Sequence, residues 1–169
     1  MTGCVLIRDF RSVRDPRLLY IHSRWTDLDA FERYARLPAT ERFVEQAEER
    51  MENPPLRAMR TIAITPTASA DVAGDLYIFA PLRARSGNEL RLEAALRAVH
   101  GPTTREAGCI AHAAYRGVRD RQLFYVHSVW QSEAAFAKHI DLPHTRLFSE
   151  QAEKLLEAPL EVTRATEIA

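Results

Sequence analysis

The amino-acid sequence predicts an α+β fold made of two related units in one chain. The first observation is an internal repeat at a constant offset of 105 residues, as between Gly3 and Gly108. The second is the order of segments in the second copy, which is β-α-β-β-α-β. A repeat changes how the length of a chain is interpreted, so it is considered first. The offset predicts an incomplete unit over residues 1–64, a linker over 65–75 and a complete unit over 76–169.

The repeat consists of matching motifs that stay in register without gaps. The run LLYIHSRW from Leu18 matches LFYVHSVW from Leu123, and EQAE from Glu45 recurs from Glu150. Twice the offset exceeds the 169 residues of the chain, and the missing part is the first strand and helix of the first unit. We expect this to leave the neighbouring strands unpaired. Either the protein begins upstream of Met1, or a partner subunit or a rearranged sheet fills the gap.

The first strand and helix of the complete unit are predicted between residues 76 and 99. Strand-forming residues cover 76–84, where Pro81 indicates an edge position or a bulge. Ser86 and Glu89 form a capping-box pattern that begins a helix. Glycine and proline at positions 101 and 102 are expected to end this helix near residue 99. Its apolar side is predicted to contain Leu90, Ala94 and Val99.

The rest of the unit is predicted as two strands, a broken helix and a last strand. The strands cover 109–116 and 122–130, and the second is rich in β-branched and aromatic residues. Ser132 is the predicted N-cap of a short helix, and Pro143 suits the first turn of another that ends near residue 156. The last strand is predicted over 161–168. This order is that of the ferredoxin-like arrangement, in which an antiparallel sheet has helices on one face. Its other face needs a partner, for which a second unit is the natural candidate.

Composition excludes several classes of protein. Lys+Arg and Asp+Glu are both 23, so the chain has no net charge and we expect no nucleic-acid partner. No apolar run approaches the length of about 18 residues that a membrane span needs, so no membrane partner is expected. The N-terminal residues do not have the pattern of a secretion signal. We therefore expect a cytoplasmic protein in which Cys4 and Cys109 are reduced thiols.

Several motifs of the second copy are shared with a known family. They are the pair Gly108-Cys109, a strand that ends in Trp130, a Ser-Glu-x-x-Phe helix start at Ser132, and a helix break at Pro143-His144. With these motifs the chain resembles the antibiotic biosynthesis monooxygenase superfamily. The resemblance implies a dimeric α+β barrel, of which the tandem chain is a fused version. It also implies a cofactor-independent monooxygenase, a small phenol, quinol or anthrone as substrate, and a homodimer.

The first candidate catalytic residue is His127. It follows Tyr125 by two residues, so strand alternation places both on one face, toward the other unit. A buried Tyr–His pair can relay a proton for a phenolic substrate. The same pair recurs as Tyr20 and His22, and a hydrogen-bonded polar cluster between the units is the alternative.

The second candidate catalytic residue is His144. Its counterpart in the first copy is Ala39, and the resemblance implies a histidine near the pocket at this helix break. A solvent-exposed position at a helix N-terminus is the alternative. The other histidines are predicted to be structural: His139 on a helix surface, His112 partly buried, and His100 beside the carbonyls at a helix end.

The resemblance implies that Trp130, and in the first copy Trp25, line a substrate pocket, where an indole ring can stack on an aromatic substrate. A core anchor between sheet and helices is the alternative. The other candidate substrate-binding residues are Tyr125, Tyr77, Phe79 and His22. The first strand lacks the asparagine of the haem-degrading branch, which argues against haem and weakens the oxygenase interpretation.

No cofactor or metal site is predicted, because HxH, HExxH and CxxC patterns are absent from the sequence. Two other functions remain open. One is a non-catalytic module of the same fold that binds a small ligand or mediates dimerisation. The other is an isomerase or cyclase.

Overall fold

The computed structural model describes residues 2–50, 61–66 and 73–168, and these contain seven strands and five helices. Residues 67–72 of the predicted linker lie outside the described part. The strands are β1 (Cys4–Ser12), β2 (Leu19–Trp25), β3 (Thr61–Ala63), β4 (Leu76–Arg83), β5 (Cys109–Gly117), β6 (Leu123–Trp130) and β7 (Thr163–Glu167). The helices are α1 (Leu28–Ala35), α2 (Pro38–Arg50), α3 (Glu89–Thr103), α4 (Glu133–Asp141) and α5 (Pro143–Leu155).

These strands form one antiparallel sheet in the order β2-β1-β7-β4-β6-β5-β3. Its part β7-β4-β6-β5 has the ferredoxin-like order, which confirms the predicted fold class. At one end β1 pairs with β7, residues 10–12 against 165–167. At the other end β3 pairs with β5, residues 61–63 against 115–117. Each copy therefore pairs its last strand with a strand of the other copy.

The sheet curls so strongly that side chains on its concave face contact one another across the interior. Strands β2 and β6 lie four positions apart, which is about 19 Å in a flat sheet. The rings of His22 on β2 and His127 on β6 are nevertheless only 4.8 Å apart, and Tyr20 stacks on Phe79 at 4.6 Å. The sheet therefore forms most of a barrel. The opening of this barrel lies between the end strands, β2 and β3, in the described part of the chain.

Alternation along β6 separates two layers of core, as the sequence predicts. Tyr125, His127 and Val129 face the inside of the barrel. The opposite face of the strand lies under helices, with Phe124 and Val126 beneath α3 and α5 and Trp130 beneath α4. The inner layer is mainly aromatic and also contains Phe10, Tyr20, Tyr77 and Phe79.

Helix α3 differs from its prediction at both ends and in its buried side. It begins with Asn88, not Ser86, as N-cap and continues through Pro102 to Thr103, where the Thr103 hydroxyl donates to the Val99 carbonyl at 2.8 Å. A proline in the last turn removes only one backbone bond, so the helix tolerates it. Leu90 is exposed, because the longer apolar series at i, i+4 and i+7 faces the sheet instead. That buried series is Leu92, Ala95, Leu96, Val99 and Thr103.

Pro81 predicts that its strand lies at an edge of the sheet, and this prediction is wrong. Strand β4 lies inside the sheet between β6 and β7. Its pairing with β7 covers residues 77–79 and ends before Pro81. The proline is thus on the part of a central strand that has one neighbour only, where the loss of an N–H is tolerated.

The outer face of β1 and β2 exposes apolar side chains. Val5, Ile7, Leu19 and Ile21 are all at least a third exposed. In the second copy, the counterpart of Leu19 is Phe124, which is fully buried beneath α3 and α5. Helix α2 buries no side chain, and no helix in the described ranges takes the place of α3 over this face. None of the described helices is long and apolar enough to cross a membrane.

Candidate functional site

The predicted site residues lie in three separate places. Trp130 and His144 lie on the helix side of the sheet. Trp25 occupies the equivalent place in the first copy. The remaining candidates lie on the opposite face, inside the barrel: His22, Tyr77, Phe79, Tyr125 and His127.

Trp130 is a buried anchor at the end of β6. Its side chain has no exposed surface, and its indole N–H donates to Ser128 Oγ at 2.9 Å. Ser132 caps α4 by accepting the Ala135 N–H at 3.1 Å, which begins the helix directly after the strand. Helix α4 then brings His139 over the indole, with ring centroids 4.8 Å apart. The Trp130 ring therefore packs directly against the ring of His139.

Glu106, His139 and His144 form a compact polar cluster beside this wall, which we call the Glu106 cluster. Glu106 Oε1 lies 2.8 Å from His139 Nδ1 and 2.7 Å from His144 Nε2. Thr145 Oγ1 lies 3.2 Å from the same His139 nitrogen. Pro143, in the first turn of α5, places His144 one position into that helix. The side chains of Glu106, His139 and His144 are 8%, 13% and 24% exposed, so only His144 has substantial access to solvent.

Burial controls the electrostatics of this region. It lowers the pKa of His139, against the opposing effect of the Glu106 carboxylate. Burial and the nearby Glu106 also raise the pKa of the Cys109 thiol to about 12, so this thiol stays protonated at neutral pH. In the hydrogen-bonded form of the cluster, both ring nitrogens that face Glu106 are N–H donors.

Sequence reasoning missed two members of the cluster. His139 was predicted on a helix surface, which is wrong because its ring is packed between Trp130 and Glu106. No motif in the sequence points to Glu106. The sequence does contain a signal for the two histidines, because the copies differ at these positions. The counterparts of His139 and His144 are Tyr34 and Ala39. Residues that lost or gained a functional side chain after duplication stand out in this way.

His100 lies in the last turn of α3, near the helix end as predicted, but its side-chain contact is a different one. Its Nδ1 lies 3.2 Å from Nδ1 of His112 on β5. The sequence predicts that His112 is partly buried, and the structure shows it buried. Burial lowers the pKa of His112 to about 3. The two rings form a contact between α3 and the sheet.

His127 lies in the filled interior of the barrel. It is 1% exposed, and its Nδ1–H donates to the Ile78 carbonyl at 3.1 Å. Its ring stacks on His22 and on Phe79, with centroids 4.8 and 4.9 Å apart. Burial, and next the proximity of His22, lower the pKa of His127 to about 3. The imidazole is therefore neutral at physiological pH.

Two tyrosines of the interior are held in different ways. The Tyr77 hydroxyl accepts hydrogen bonds from Arg8 Nη2 at 2.7 Å and from the Gly74 N–H at 3.1 Å. Arg8 also forms an ion pair with Glu167, so Tyr77 belongs to a charged network at one end of the barrel. Burial raises the pKa of Tyr125 well above its usual value, which keeps this phenol neutral.

The equivalent place beside Trp25 in the first copy contains a cavity of about 280 Å³. Tyr34 stands where the second copy has His139, and its ring lies 4.8 Å from that of Trp25. The lining residues are Thr2, Trp25, Ala30, Arg33, Tyr34 and Leu37. Because Ala39 replaces His144, this cavity has an aromatic wall and a cation but neither histidine.

A family model described as antibiotic biosynthesis monooxygenase matches residues 1–46 and 76–158. The two matched segments fall in the two copies of the repeat and together cover most of the chain. No curated protein matches the chain.

Solved structures with similar folds include both long and short chains. An anthrone oxidase-like protein is 13% identical, with a TM-score of 0.78, over 99% of this chain and 78% of its own. A Lactobacillus acidophilus protein with a provisional monooxygenase name is 12% identical, with a TM-score of 0.69, over 98% of this chain and 77% of its own. PA3566 from Pseudomonas aeruginosa is 30% identical, with a TM-score of 0.54, over 57% of this chain and 97% of its own.

Proposed function

The chain belongs to the antibiotic biosynthesis monooxygenase family, and from this premise we propose that it is a cofactor-independent monooxygenase of a small phenol, quinol or anthrone. The observation that carries the proposal is the Glu106 cluster beside Trp130. It combines a partly exposed imidazole, a carboxylate that holds this imidazole in place, and a second imidazole that packs on the buried Trp130 ring. The similarity in fold to an anthrone oxidase-like protein supports an anthrone as the first substrate to test.

The reaction of an anthrone needs only a base, a sheltered site and oxygen. The base removes one proton, and the resulting anion passes one electron to O₂. The substrate radical and superoxide then combine, which forms a carbon–oxygen bond and a peroxide. The protonated base returns its proton to this peroxide. Loss of water, with the remaining hydrogen of the same carbon, leaves the quinone, so that one anthrone and one O₂ give one quinone and one water.

We assign the proton acceptor to His144. It is 24% exposed and can contact a substrate, whereas His127 is sealed inside the barrel at 1% exposed. Glu106 accepts the Nε2–H of His144 at 2.7 Å, which fixes the orientation of the ring and leaves Nδ1 to accept the proton. His139, which is 13% exposed, is the ring beside which a flat substrate lies, and the fully buried Trp130 ring supports His139 from the inside. In this proposal His127 and Tyr125 maintain the barrel interior that supports β6.

A second function, ligand binding without turnover, is favoured by the cavity beside Trp25. That cavity can hold a flat anion between Trp25 and Arg33, but it has no imidazole that could accept a proton. Binding there would quench or shift the fluorescence of Trp25 with no consumption of oxygen. The two functions are compatible, because they use different copies.

Oxygen uptake with a panel of anthrones and hydroquinones, in buffer with a chelator, tests the monooxygenase proposal. We expect uptake by the wild-type protein, and at least about 100-fold less by His144→Ala, because a positioned base contributes about that much or more. His100→Ala is the matched control, since His100 is also a half-buried histidine of the second copy but lies outside the Glu106 cluster. Equal rates for wild type and His144→Ala would overturn the assignment.

We also propose that the chain forms a homodimer through the exposed apolar face of β1 and β2. A surface on which exposed apolar side chains are grouped in this way is typical of an interface. Light scattering after size-exclusion chromatography is expected to give the mass of two chains, and Ile21→Glu the mass of one. Leu90→Glu changes an exposed leucine of α3 and should leave the mass unchanged. A wild-type protein with the mass of one chain contradicts the proposal.

A further inference from the structure

We propose that the Glu106 cluster binds a divalent first-row transition metal ion through Glu106 Oε1, His139 Nδ1 and His144 Nε2. Two imidazole nitrogens and one carboxylate oxygen are a donor set that zinc and non-haem iron use in proteins. The inference comes from the geometry of the cluster and does not depend on the proposed oxygenase activity.

The three donor atoms already converge. Each lies within 4.8 Å of the other two, and the oxygen is 2.7 and 2.8 Å from the nitrogens. Ligands at about 2.1 Å in tetrahedral geometry are about 3.4 Å apart. The oxygen therefore needs to move away from each nitrogen by less than about 1 Å to admit an ion, and rotation of the Glu106 side chain provides such a movement.

The charge of the cluster favours a cation. Glu106 is 8% exposed, and its ion-pair partners in the described part of the chain are His139 and His144 alone. A buried carboxylate without a fixed positive charge beside it is costly. A divalent ion takes the place of the two ring protons and supplies the missing positive charge.

The elements around the cluster restrict the ion to these three donors. Cys109 lies close by, but its thiol donates to the Ala111 carbonyl at 3.7 Å. The Trp130 ring closes one side. Three protein ligands leave at least one coordination position for water or for an oxygen atom of a ligand, which can reach the ion past His144.

Metal binding at His144 Nε2 opposes proton acceptance by the same ring, because the ion replaces the hydrogen bond to Glu106 and places a positive charge on the imidazole whose Nδ1 must accept the proton. A metal-loaded protein should therefore consume oxygen more slowly than the chelated protein if the proposed function is correct. Metal binding itself is measured without substrate, so failure of the oxygenase proposal leaves this inference intact, and the reverse also holds.

Titration of the chelator-treated and dialysed protein with Co²⁺ and Zn²⁺ tests the inference. We expect one equivalent of Co²⁺ to produce visible d–d absorption bands without the near-ultraviolet band of a thiolate ligand, and Zn²⁺ to displace it. Calorimetry with Zn²⁺ should give the same stoichiometry of one ion per chain.

Variants locate the ion and control for misfolding. His139→Ala, His144→Ala and Glu106→Gln should each weaken binding more than about 100-fold, because loss of a ligand exceeds the effect of a supporting residue. Circular dichroism establishes that each variant is folded. Cys109→Ala and His100→Ala should bind like wild type. Wild-type protein without cobalt bands or zinc heat overturns the proposal, as do bands that persist in folded Glu106→Gln or vanish in folded His100→Ala.

Discussion

Trp25 and Trp130 are equivalent in sequence but differ in their surroundings. Trp130 is fully buried beneath α4, whereas Trp25 is half-buried and borders a cavity. We expect Trp130→Ala to lower the free energy of unfolding by about 3–5 kcal/mol, as for other large core residues. Trp25→Ala should cost clearly less, because fewer contacts are lost. Urea unfolding followed by circular dichroism compares the two variants, and equal losses would contradict this difference in packing.

The buried imidazole of His127 makes stability depend on pH. Burial lowers its pKa to about 3, whereas an unfolded histidine titrates near 6.5. Between these values the unfolded state binds more protons, so the free energy of unfolding falls as the pH falls. The decrease due to this one residue is at most about 1.4 kcal/mol per pH unit, and it is absent above about pH 6.5.

His127→Asn isolates that contribution, because the amide still donates to the Ile78 carbonyl but does not titrate. Urea unfolding at several pH values from 7 to 4 should show a shallower pH dependence for this variant than for wild type. All carboxylates are shared by the two proteins, so their titration cancels in the difference. Parallel pH profiles would mean that His127 is protonated in the folded protein.

For single residues, the sequence predicts the face of a strand on which a side chain lies better than it predicts the function of that side chain. Period-two alternation correctly places Tyr125 and His127 inside the barrel and Trp130 beneath the helices. It carries no information on contacts between elements that are distant in sequence. The approach of Glu106 to His139 joins residues 33 positions apart, in a loop and a helix, so that no local pattern contains it.

Helices α1 and α4 begin with equivalent caps and allow a matched test. Asp27 accepts the Ala30 N–H at 2.7 Å, and Ser132 accepts the Ala135 N–H at 3.1 Å. Ser132→Ala and Asp27→Ala should each lower the free energy of unfolding by about 1 kcal/mol. Only Ser132→Ala should also slow oxygen uptake, because α4 holds His139 against Trp130 and Glu106. Equal oxygen uptake by the two variants would contradict this role of α4.

Helix ends that have local sequence signals are predicted well, whereas helix ends that depend on packing against the sheet are not. The caps and the proline break define α4 and α5, and the predicted ends agree with the structure within one or two residues. For α3, the capping-box pattern at Ser86 and the Gly-Pro pair both mislead. Its apolar stripe through Leu92 and Leu96 has to match the surface of the sheet, and this demand outweighs the local signals at the ends.

The exchange of last strands joins both copies into one sheet, so we expect them to unfold together. Each copy contains one of the two tryptophans of the chain. Trp25→Phe leaves a fluorescence probe in the second copy, and Trp130→Phe leaves one in the first. In each variant, the fluorescence and circular dichroism transitions in urea should coincide. A first-copy probe that reports an earlier transition than circular dichroism would show that the copies unfold separately.

For the whole molecule, the repeat predicts the pairing of two units but not how they are connected. Their joint sheet depends on hydrogen bonds between residues about 55 and 155 positions apart, as between Thr61 and Gly117 and between Phe10 and Glu167. Such long-range pairing has no sequence signal within either copy. In the described part of the chain, β2 and β3 each have one neighbouring strand, because they are the two ends of the sheet.

The presence of both copies in one polypeptide has an evolutionary consequence. In an assembly of identical subunits, one codon specifies a residue in every copy, so a new side chain appears in all sites at once. Here the codons for Ala39 and His144 are separate, as are those for Tyr34 and His139. Selection can therefore act on the cavity beside Trp25 without altering the Glu106 cluster, and one fold can maintain two sites of different chemistry.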